Sequence, residues 1–207
     1  DGAGSCLPKD GEQAVQLYRK AAEHGLGGAQ FTLGLRYFNG INVAQDDQQA
    51  LEWFRKAADQ GVSGAQHALG NMYASGRGVA KDEQIAVVWF RKAAELGNAL
   101  GQFSLGLMHE HGRGVVKDEN LAGQWYLKAA EQGHPEGQLN IGYLYETGRG
   151  VIKDDNLAVQ WYRKAADQGL AKGQFNLGNM YRRGLGVLKD DQLAQQWYSK
   201  AAEQGHS

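Results

Sequence analysis

The chain has 207 residues, with 22 basic and 23 acidic side chains and a formal net charge of −1. This balance gives no bulk electrostatic attraction to nucleic acid or to anionic membranes, so we expect neither nucleic acid nor membrane insertion. A single cysteine, Cys6, excludes an intramolecular disulfide framework, and no apolar run approaches the roughly 20 residues of a membrane span.

The chain begins with an incomplete unit over residues 1–25. The segment "LYRKAAEHG" from residue 17 is a degraded copy of a nine-residue pattern, such as "WYRKAADQG" at 161, that recurs along the chain. Shifted by 36 residues, "GSCLPKD" at 4–10 aligns with "GINVAQD" at 40–46. We therefore predict a turn over residues 4–10 and then a helix over about residues 11–24 that lacks a preceding partner helix.

Five complete periods follow. Their most visible marker is a tryptophan that returns every 36 residues, at Trp53, Trp89, Trp125, Trp161 and Trp197. A fixed period of this length is typical of a stacked repeat array. We predict repeats over about residues 26–61, 62–97, 98–133, 134–169 and 170–205, forming one continuous solenoid.

The period at residues 62–97 predicts two helices. The first, from about Gly64 to Ser75, ends at Gly76, because glycine readily adopts the left-handed conformation that closes a helix. Asp82 is placed to accept hydrogen bonds from the free N–H groups of the second helix. That helix has apolar residues at the i, i+3, i+4, i+7 spacing of one buried face, namely Ala86, Trp89, Phe90 and Ala93, and Gly97 ends it.

A glycine lies inside every first helix, at Gly34, Gly70, Gly106, Gly142 and Gly178. Glycine inside a helix costs about 1 kcal/mol relative to alanine. A cost repeated five times predicts a packing reason, and we expect close approach of the second helix with its indole over the glycine.

No motif predicts catalysis, a metal or a cofactor. His109 and His111 flank Glu110, but a spacing of two residues puts the imidazoles on different faces of a helix. His109 is predicted to occupy the core position that Tyr37 and Tyr73 hold in earlier repeats. The turns of the type "GRGVAKD" follow helices and lack the GK[ST] ending of phosphate-binding loops.

Arg-Lys doublets begin at residues 19, 55, 91 and 163, near the C-terminal ends of the second helices. Cations are favourable there because of the helix dipole. We interpret them as a solvated face.

The segments "AQFTLGLRYFNG", "AQHALGNMYASGRGVAKD" and "GQFNLGNMYRRGLGVLKD" each precede an "A..WF/Y.KAA..G" helix. This pattern resembles the Sel1-like repeat family, relatives of tetratricopeptide repeats, over about residues 26–205. The resemblance implies an all-α, right-handed solenoid of about eleven helices, in which the first helix of each pair lines the concave surface and the second faces outward.

The same resemblance implies a function. Family members act as adaptors in protein complexes, many of them bacterial, and some are immunity proteins that neutralise a secreted toxic enzyme. We therefore expect a non-catalytic scaffold whose partner is another protein or a peptide. An immunity or inhibitor protein is the alternative, and an enzyme is a third interpretation. The resemblance favours a periplasmic or secreted location and leaves a cytoplasmic one open.

The chain departs from the family pattern at a few places. It lacks the cysteines that form one disulfide per repeat in one branch of the family, so it depends on core packing. Asn42 replaces the second glycine of its turn, Leu185 replaces a turn arginine, and His109 replaces a tyrosine. These changes leave the local turn geometry open.

A variable polar stripe on the first helices is the candidate binding surface. Hydrogen-bonding side chains there suit an extended peptide or a protruding loop, and tyrosine and arginine are enriched at binding hot spots. The predicted partner-binding residues are Thr32, Leu35, Asn39, Asn71, Ser75, Ser104, Leu107, His111, Asn140, Tyr143, Thr147, Asn176, Asn179 and Arg183. We expect Tyr143 to be the anchor. Two alternatives remain: a merely solvated surface, or docking on the outer helices near Arg55 and Arg163.

Neither end of the chain shows a distinct polar cap, which repeat arrays need. We predict that the last helix leaves apolar surface open around Ala194, Trp197 and Ala201. Such a surface predicts weak self-association through the ends, or an array that continues further.

Overall fold

The computed structural model describes residues 7–205, apart from the side chains of residues 7–10 and 12. Within this range the secondary structure consists of α-helices and turns, which confirms the predicted all-α class. The helices are α1 (Leu7–Glu23), α2 (Gly27–Asn39), α3 (Asp47–Asp59), α4 (Ser63–Ser75), α5 (Glu83–Glu95), α6 (Ala99–His111), α7 (Glu119–Glu131), α8 (Pro135–Thr147), α9 (Asp155–Asp167), α10 (Ala171–Arg183) and α11 (Asp191–Ala202). None of these described helices is both long enough and apolar enough to cross a membrane.

Consecutive helices pack as antiparallel pairs within two compact units. Unit 1 comprises residues 1–101 and unit 2 comprises residues 102–207. In unit 1, α1 to α5 pack each on the next; in unit 2, α7 to α11 do the same. The even-numbered helices are the first helices of the repeat and the odd-numbered ones are the second helices. This succession of helix pairs is the predicted solenoid arrangement.

The predicted helix signals occupy the positions expected of them. Asp82 accepts hydrogen bonds from the backbone N–H groups of Gln84 and Ile85, each at 2.9 Å. Gly76 closes α4 in the left-handed region with φ of 77°. The same N-terminal cap recurs at Asp46, Asp118, Asp154 and Asp190. Asn42 keeps the conformation of the glycine that it replaces, with φ of 58°.

The glycine inside each first helix lies against an aromatic ring of the second helix. A Cβ built on Gly142 would lie 2.8 Å from the ring of Tyr162, which is too close for any real contact. The ring belongs to the residue after each tryptophan, so the expectation that the indole covers the glycine was wrong. The five pairs are Gly34–Phe54, Gly70–Phe90, Gly106–Tyr126, Gly142–Tyr162 and Gly178–Tyr198. Four of the tryptophans are half-buried, and Trp161 is buried. Each lies beneath a lysine ammonium, as with Lys56 4.2 Å from the ring centre of Trp53.

The arginines of the Arg-Lys doublets are more than a solvated face. Arg19 donates to the Tyr37 hydroxyl at 2.6 Å, and Arg55 donates to the Tyr73 hydroxyl at 2.8 Å. Arg163 donates to Tyr181 in the same way. The sequence interpretation was wrong for these three arginines, because each one bridges its second helix to the next first helix.

The first helix begins earlier than predicted. The turn was expected to extend to residue 10, yet α1 begins at Leu7, and residues 1–6 lie outside the described part. In later repeats the turn is held against the preceding second helix, where a Cβ on Gly78 would lie 2.8 Å from the carbonyl oxygen of Asp47. The described part has no helix before α1 to hold such a turn, and Pro8 is compatible with the first turn of a helix.

The apolar surface predicted around α11 is smaller than expected. Ala194 and Ala201 are 2% and 0% exposed, so the prediction was wrong for both, and Ala194 packs in a core cluster with Leu177 and Met180 of α10. Trp197 is half-buried, as Trp53 and Trp89 are. Self-association through the ends stays a prediction.

A row of buried glutamines joins neighbouring repeats. Gln138 is 4% exposed, its side-chain amide donates to the Ala130 carbonyl at 3.2 Å, and its Oε1 accepts from Gln168 at 2.8 Å. The donor residue lies 30 positions further along the chain. The same acceptor contact is made by the pairs Gln60–Gln30, Gln132–Gln102 and Gln204–Gln174.

The second repeat interrupts this row. Leu96 occupies the donor position, and Oε1 of the buried Gln66 has no hydrogen-bond partner among the described residues. The Gln66 amide still donates to the Ala58 carbonyl at 3.3 Å. The chain therefore has one unsatisfied acceptor in an otherwise repeated network.

We predict that Gly142→Ala destabilises the fold by about 1–3 kcal/mol, the range for an overpacked core, because the new methyl group meets the Tyr162 ring. This loss exceeds the gain of about 1 kcal/mol in helix propensity. Gly28→Ala in α2 is the control, since a Cβ there meets nothing within 4 Å. Urea denaturation of both variants checks the prediction, and equal stabilities would contradict it.

We also predict that Leu96→Gln stabilises the fold by about 1 kcal/mol, the usual net value of a hydrogen bond, because it supplies the missing donor to Gln66. Gln168→Leu, which removes an existing donor, should lower the free energy of unfolding. Thermal and urea denaturation measure both changes. A Leu96→Gln variant no more stable than the wild type would show that Gln66 is satisfied in another way.

Candidate functional site

The first helices of unit 2 carry a groove that forms the candidate site. It consists of two adjoining depressions of ≈ 550 and ≈ 430 Å³, both lined by Leu139, Asn140 and Lys172. We call it the unit 2 groove and define it by Phe103, Leu107, Leu139, Asn140, Tyr143, Lys172, Phe175 and Asn176. It combines apolar walls with a few convergent polar groups, as ligand sites in proteins do.

Tyrosine hydroxyls reach this face because the glycine contacts bring the second helices close. The Tyr126 hydroxyl donates to Glu110 at 2.5 Å, and the Tyr162 hydroxyl donates to Glu146 at 2.7 Å. Burial, followed by these hydrogen bonds, raises the pKa of both tyrosines well above the usual value. Both stay neutral, and their hydroxyls also hydrogen-bond to Asn140 and Asn176 of the groove.

Tyr143 is the most prominent side chain of the groove. It is 41% exposed, and the Arg149 guanidinium lies 5.7 Å from its ring centre and hydrogen-bonds to it. Arg149 is itself held by Glu119 at 2.8 Å, and the hydrogen bonds from Arg149 and then Lys117 lower the pKa of Glu119 to about 2. An exposed ring held by an anchored arginine suits a contact residue that loses little freedom on binding.

Unit 1 carries a smaller, more apolar depression of ≈ 240 Å³ on its own first helices. The ring centres of Phe31 and Phe54 are 5.8 Å apart, and those of His67 and Phe90 are 5.7 Å apart. The depression is lined by Phe31, Leu35, Phe38, Phe54, Gly64, His67, Ala68, Asn71 and Leu100. It offers few polar groups.

The structure brings some of the predicted site residues into these two depressions. Leu107, Asn140, Tyr143 and Asn176 line the unit 2 groove, and Leu35 and Asn71 line the depression of unit 1. Ser104 is half-buried and His111 is exposed, and neither lines these depressions.

Four other predicted residues bond to their own helices. Thr32 donates to the Gly28 carbonyl at 2.9 Å, Asn39 to Leu35 at 3.0 Å, Ser75 to Asn71 at 2.7 Å and Thr147 to Tyr143 at 2.8 Å. Such back-bonding is common for these residue types in helices. A partner must compete with it.

The last two predicted residues are held by side chains of unit 2. Asn179 accepts from the Tyr198 hydroxyl at 2.8 Å, and Arg183 donates to Glu146 at 3.1 Å. These contacts hold both side chains in place beside the groove, and they occupy hydrogen-bonding atoms that a partner would otherwise use.

A row of mostly aromatic residues on the first helices was not predicted from the sequence. The row comprises Phe31 and His67 in the depression of unit 1 and Phe103, Leu139 and Phe175 in the unit 2 groove, each three residues before a helix glycine. The signal was present, since each of these residues directly follows the glutamine of its first helix. The structure leaves all five side chains partly exposed. Lys172 was missed because nothing marks it in the period.

The His109–Glu110–His111 cluster has the geometry expected of it. His109 is 5% exposed, in the tyrosine position of the core, whereas His111 is exposed. Across the described residues, no group of three or more His, Cys, Asp or Glu side chains is arranged to hold a metal.

A family model described as "Sel1 repeat" matches the chain over residues 1–26, 28–62, 63–98, 99–134, 135–170 and 171–206. The comparison with curated proteins finds no match.

Solved structures of bacterial proteins resemble the chain. The protective antigen c5321 of uropathogenic Escherichia coli, which displays an SLR fold, is 45% identical with a TM-score of 0.89, over 94% of this chain and 42% of the antigen. A Sel1 repeat protein of Oxalobacter formigenes is 36% identical with a TM-score of 0.88, over 95% of this chain and 78% of that one. The immunity protein Pa5087 of Pseudomonas aeruginosa is 25% identical with a TM-score of 0.58, over 92% and 73%. The chain thus spans less than half of the E. coli antigen.

A histidine beside the groove couples the first helix of a repeat to pH. His134 begins α8, where its Nδ1 accepts from the Gly137 N–H at 3.2 Å, and its ring stacks on Phe103 with centres 4.7 Å apart. Burial lowers the pKa of His134 below 6.5, although Glu136 opposes the shift. In the preceding repeat Asn98 makes the equivalent cap to Gly101 at 2.8 Å.

We predict that this histidine makes the fold less stable in mild acid. The unfolded chain binds a proton at His134 more readily than the folded chain does. The contribution of neutral His134 to the free energy of unfolding is therefore complete above pH 6.5 and declines as the pH falls toward the lower pKa of the folded state. His134→Asn keeps the cap and removes the titration. Urea denaturation of both proteins at pH 7.5 and 5.5 checks this, and an equal pH dependence would contradict it.

Proposed function

Since the chain belongs to the Sel1 repeat family, we propose that it is a non-catalytic protein-interaction scaffold whose unit 2 groove binds an extended segment of a partner protein. Sel1 repeat proteins generally act as protein-interaction scaffolds. The observation that carries the proposal is the groove itself, which places an exposed tyrosine and two asparagines between apolar walls.

The chemistry of the groove suits an extended chain. A peptide backbone offers one N–H and one C=O per residue, and an asparagine amide can both donate and accept. Asn140 and Asn176 hold equivalent positions in neighbouring repeats, so each can pair with a different peptide group of one segment. Phe103, Leu139 and Phe175 supply apolar contact for its side chains.

Lys172 lines both depressions of the groove. Its ammonium favours a partner segment with a carboxylate near the apolar contacts. Glu136 lies in the larger depression and limits that preference, so the segment need not be strongly acidic.

The immunity interpretation concerns the identity of the partner. The Pseudomonas aeruginosa protein that the chain resembles is an immunity protein, and the same kind of surface in this chain would then bind a toxic enzyme. The groove does not favour a toxic enzyme over another protein as the partner. If the captured partner is an enzyme, an assay of its activity with added purified chain distinguishes an immunity protein, which inhibits it, from a scaffold, which does not.

We predict that Tyr143→Ala lowers the affinity for the partner by about 30-fold, since truncating an aromatic anchor commonly costs about 2 kcal/mol of binding free energy. Ile152→Ala is the matched control, because Ile152 is 89% exposed in a turn outside the groove. Affinity capture with quantitative mass spectrometry identifies partners retained by wild type and control but lost by Tyr143→Ala, and titration calorimetry then gives the affinities.

The outcome that contradicts the proposal is equal capture by Tyr143→Ala and wild type. Docking on the outer helices would then be the better interpretation. Charge reversal of Arg55 or Arg163 tests that face only together with a melting curve, because both arginines hold tyrosines of the next first helix.

A further inference from the structure

The interrupted glutamine row creates a second candidate site, in unit 1. Gln66 is 5% exposed and its Oε1 has no hydrogen-bond partner among the described residues, whereas four equivalent glutamines each accept from a downstream amide. A buried carbonyl oxygen without a donor destabilises the fold, because it has lost its hydrogen bonds to water without gaining another. The position from which the donor normally comes is held by Leu96, at the surface.

Two carboxylates stand at the rim of this position. A depression of ≈ 430 Å³ is lined by Gln66, Leu96, Asp59 and Glu95, with Asp59 and Glu95 at the ends of α3 and α5. Both carboxylates are exposed, and neither forms an ion pair with a described residue. Lys92 also lines the depression, but its ammonium lies over the Trp89 ring, 4.3 Å from the centre.

These groups define the chemistry of a ligand. The carbonyl requires an N–H donor, and the two carboxylates favour a positive charge. A guanidinium meets both needs at once, because its five N–H groups lie in one plane and can serve a carbonyl and a carboxylate together. A lysine ammonium is a compact point charge and matches the separated acceptors less well.

We propose that the depression at Gln66 and Leu96 binds an arginine side chain of a partner protein, which donates to the Gln66 carbonyl and pairs with Asp59 or Glu95. This site is independent of the unit 2 groove. The Gln66 Oε1 atom is buried, and Gln66 and Leu96 line the same depression. We therefore expect the Leu96 side chain to turn aside when the arginine binds. Leu96 is 57% exposed and has the room to do so. Arginine is among the residue types enriched at protein interfaces.

The test uses the intact chain and a single-residue probe. N-acetyl-arginine methylamide is titrated into ¹⁵N-labelled protein, with the uncharged citrulline analogue of the same length as a matched control. We expect saturable shifts of the Gln66 side-chain amide and of the Leu96 backbone signal, at least threefold weaker with citrulline. Leu96→Gln, which fills the position from within, should abolish the shifts.

The chain also allows a gain-of-binding control. Gln168→Leu opens the same gap at Gln138, where Glu131 and Asp167 hold the positions of Asp59 and Glu95. This variant should bind the arginine probe at both Gln66 and Gln138. Absence of shifts at Gln66 in the wild type, equal shifts in Leu96→Gln, or no new binding in Gln168→Leu would each overturn the proposal. Equal binding of citrulline would overturn the preference for arginine. Tyr143→Ala, which tests the unit 2 groove, should leave the probe titration unchanged.

Discussion

The contact between a helix glycine and an aromatic ring sets the geometry of the repeat. At Gly106 and Gly142 the ring of the second helix occupies the space that a Cβ would need, so a larger residue there would displace the ring. Ridge-and-groove packing normally separates helix axes by about 8–10 Å. The glycine lets a whole ring lie within that distance, and the backbone of the first helix becomes part of the wall around it.

This packing contact also supplies the chemistry of the candidate site. In unit 1 the rings are those of Phe54 and Phe90, and the depression there is apolar. In unit 2 the equivalent residues are tyrosines, whose hydroxyls pass beneath the first helices and meet carboxylates and amides on the groove side. One added oxygen per repeat therefore changes the floor of the surface from apolar to polar without altering the helix contacts.

Periodicity predicted the parts of the fold that recur, and it failed where a residue's role depends on a neighbour 18 or 30 positions away. Asp82, Gly76 and Gly97 carry local signals, since caps and left-handed turns are decided within a few residues. Arg55 was interpreted as part of a solvated face, because nothing near it in the sequence shows the Tyr73 hydroxyl that it reaches in the next helix. Likewise, nothing near Gln168 shows the Gln138 amide oxygen to which it donates, 30 positions earlier. The same limit affected the site: Tyr143 could be picked out as an exposed aromatic, but the back-bonding of Thr32 and the pairing of Asn179 depend on geometry.

Most substitutions that break the repeat pattern are accompanied by a second substitution at a residue that contacts the first one. Asn42 fills the place of a turn glycine, and Gly11 stands where later repeats have an acidic residue, leaving room for the Asn42 side chain. Leu127 replaces the arginine that would meet Tyr145, and both pack in one apolar cluster.

Two departures lack such a match. Leu185 takes the place of the arginine that pairs with Asp47 or Glu119 elsewhere, and Asp155 is left with Lys153 at 3.5 Å. Oδ1 of Asp155 is buried and has no hydrogen-bond partner among the described residues, but the Lys153 ammonium still supplies an opposite charge in place of the arginine. Gln66 is buried, so its missing donor has no such replacement in this conformation. The ion pair that remains at Asp155 is what separates the two positions, and it is why we place the proposed arginine of a partner at Leu96 rather than at Leu185.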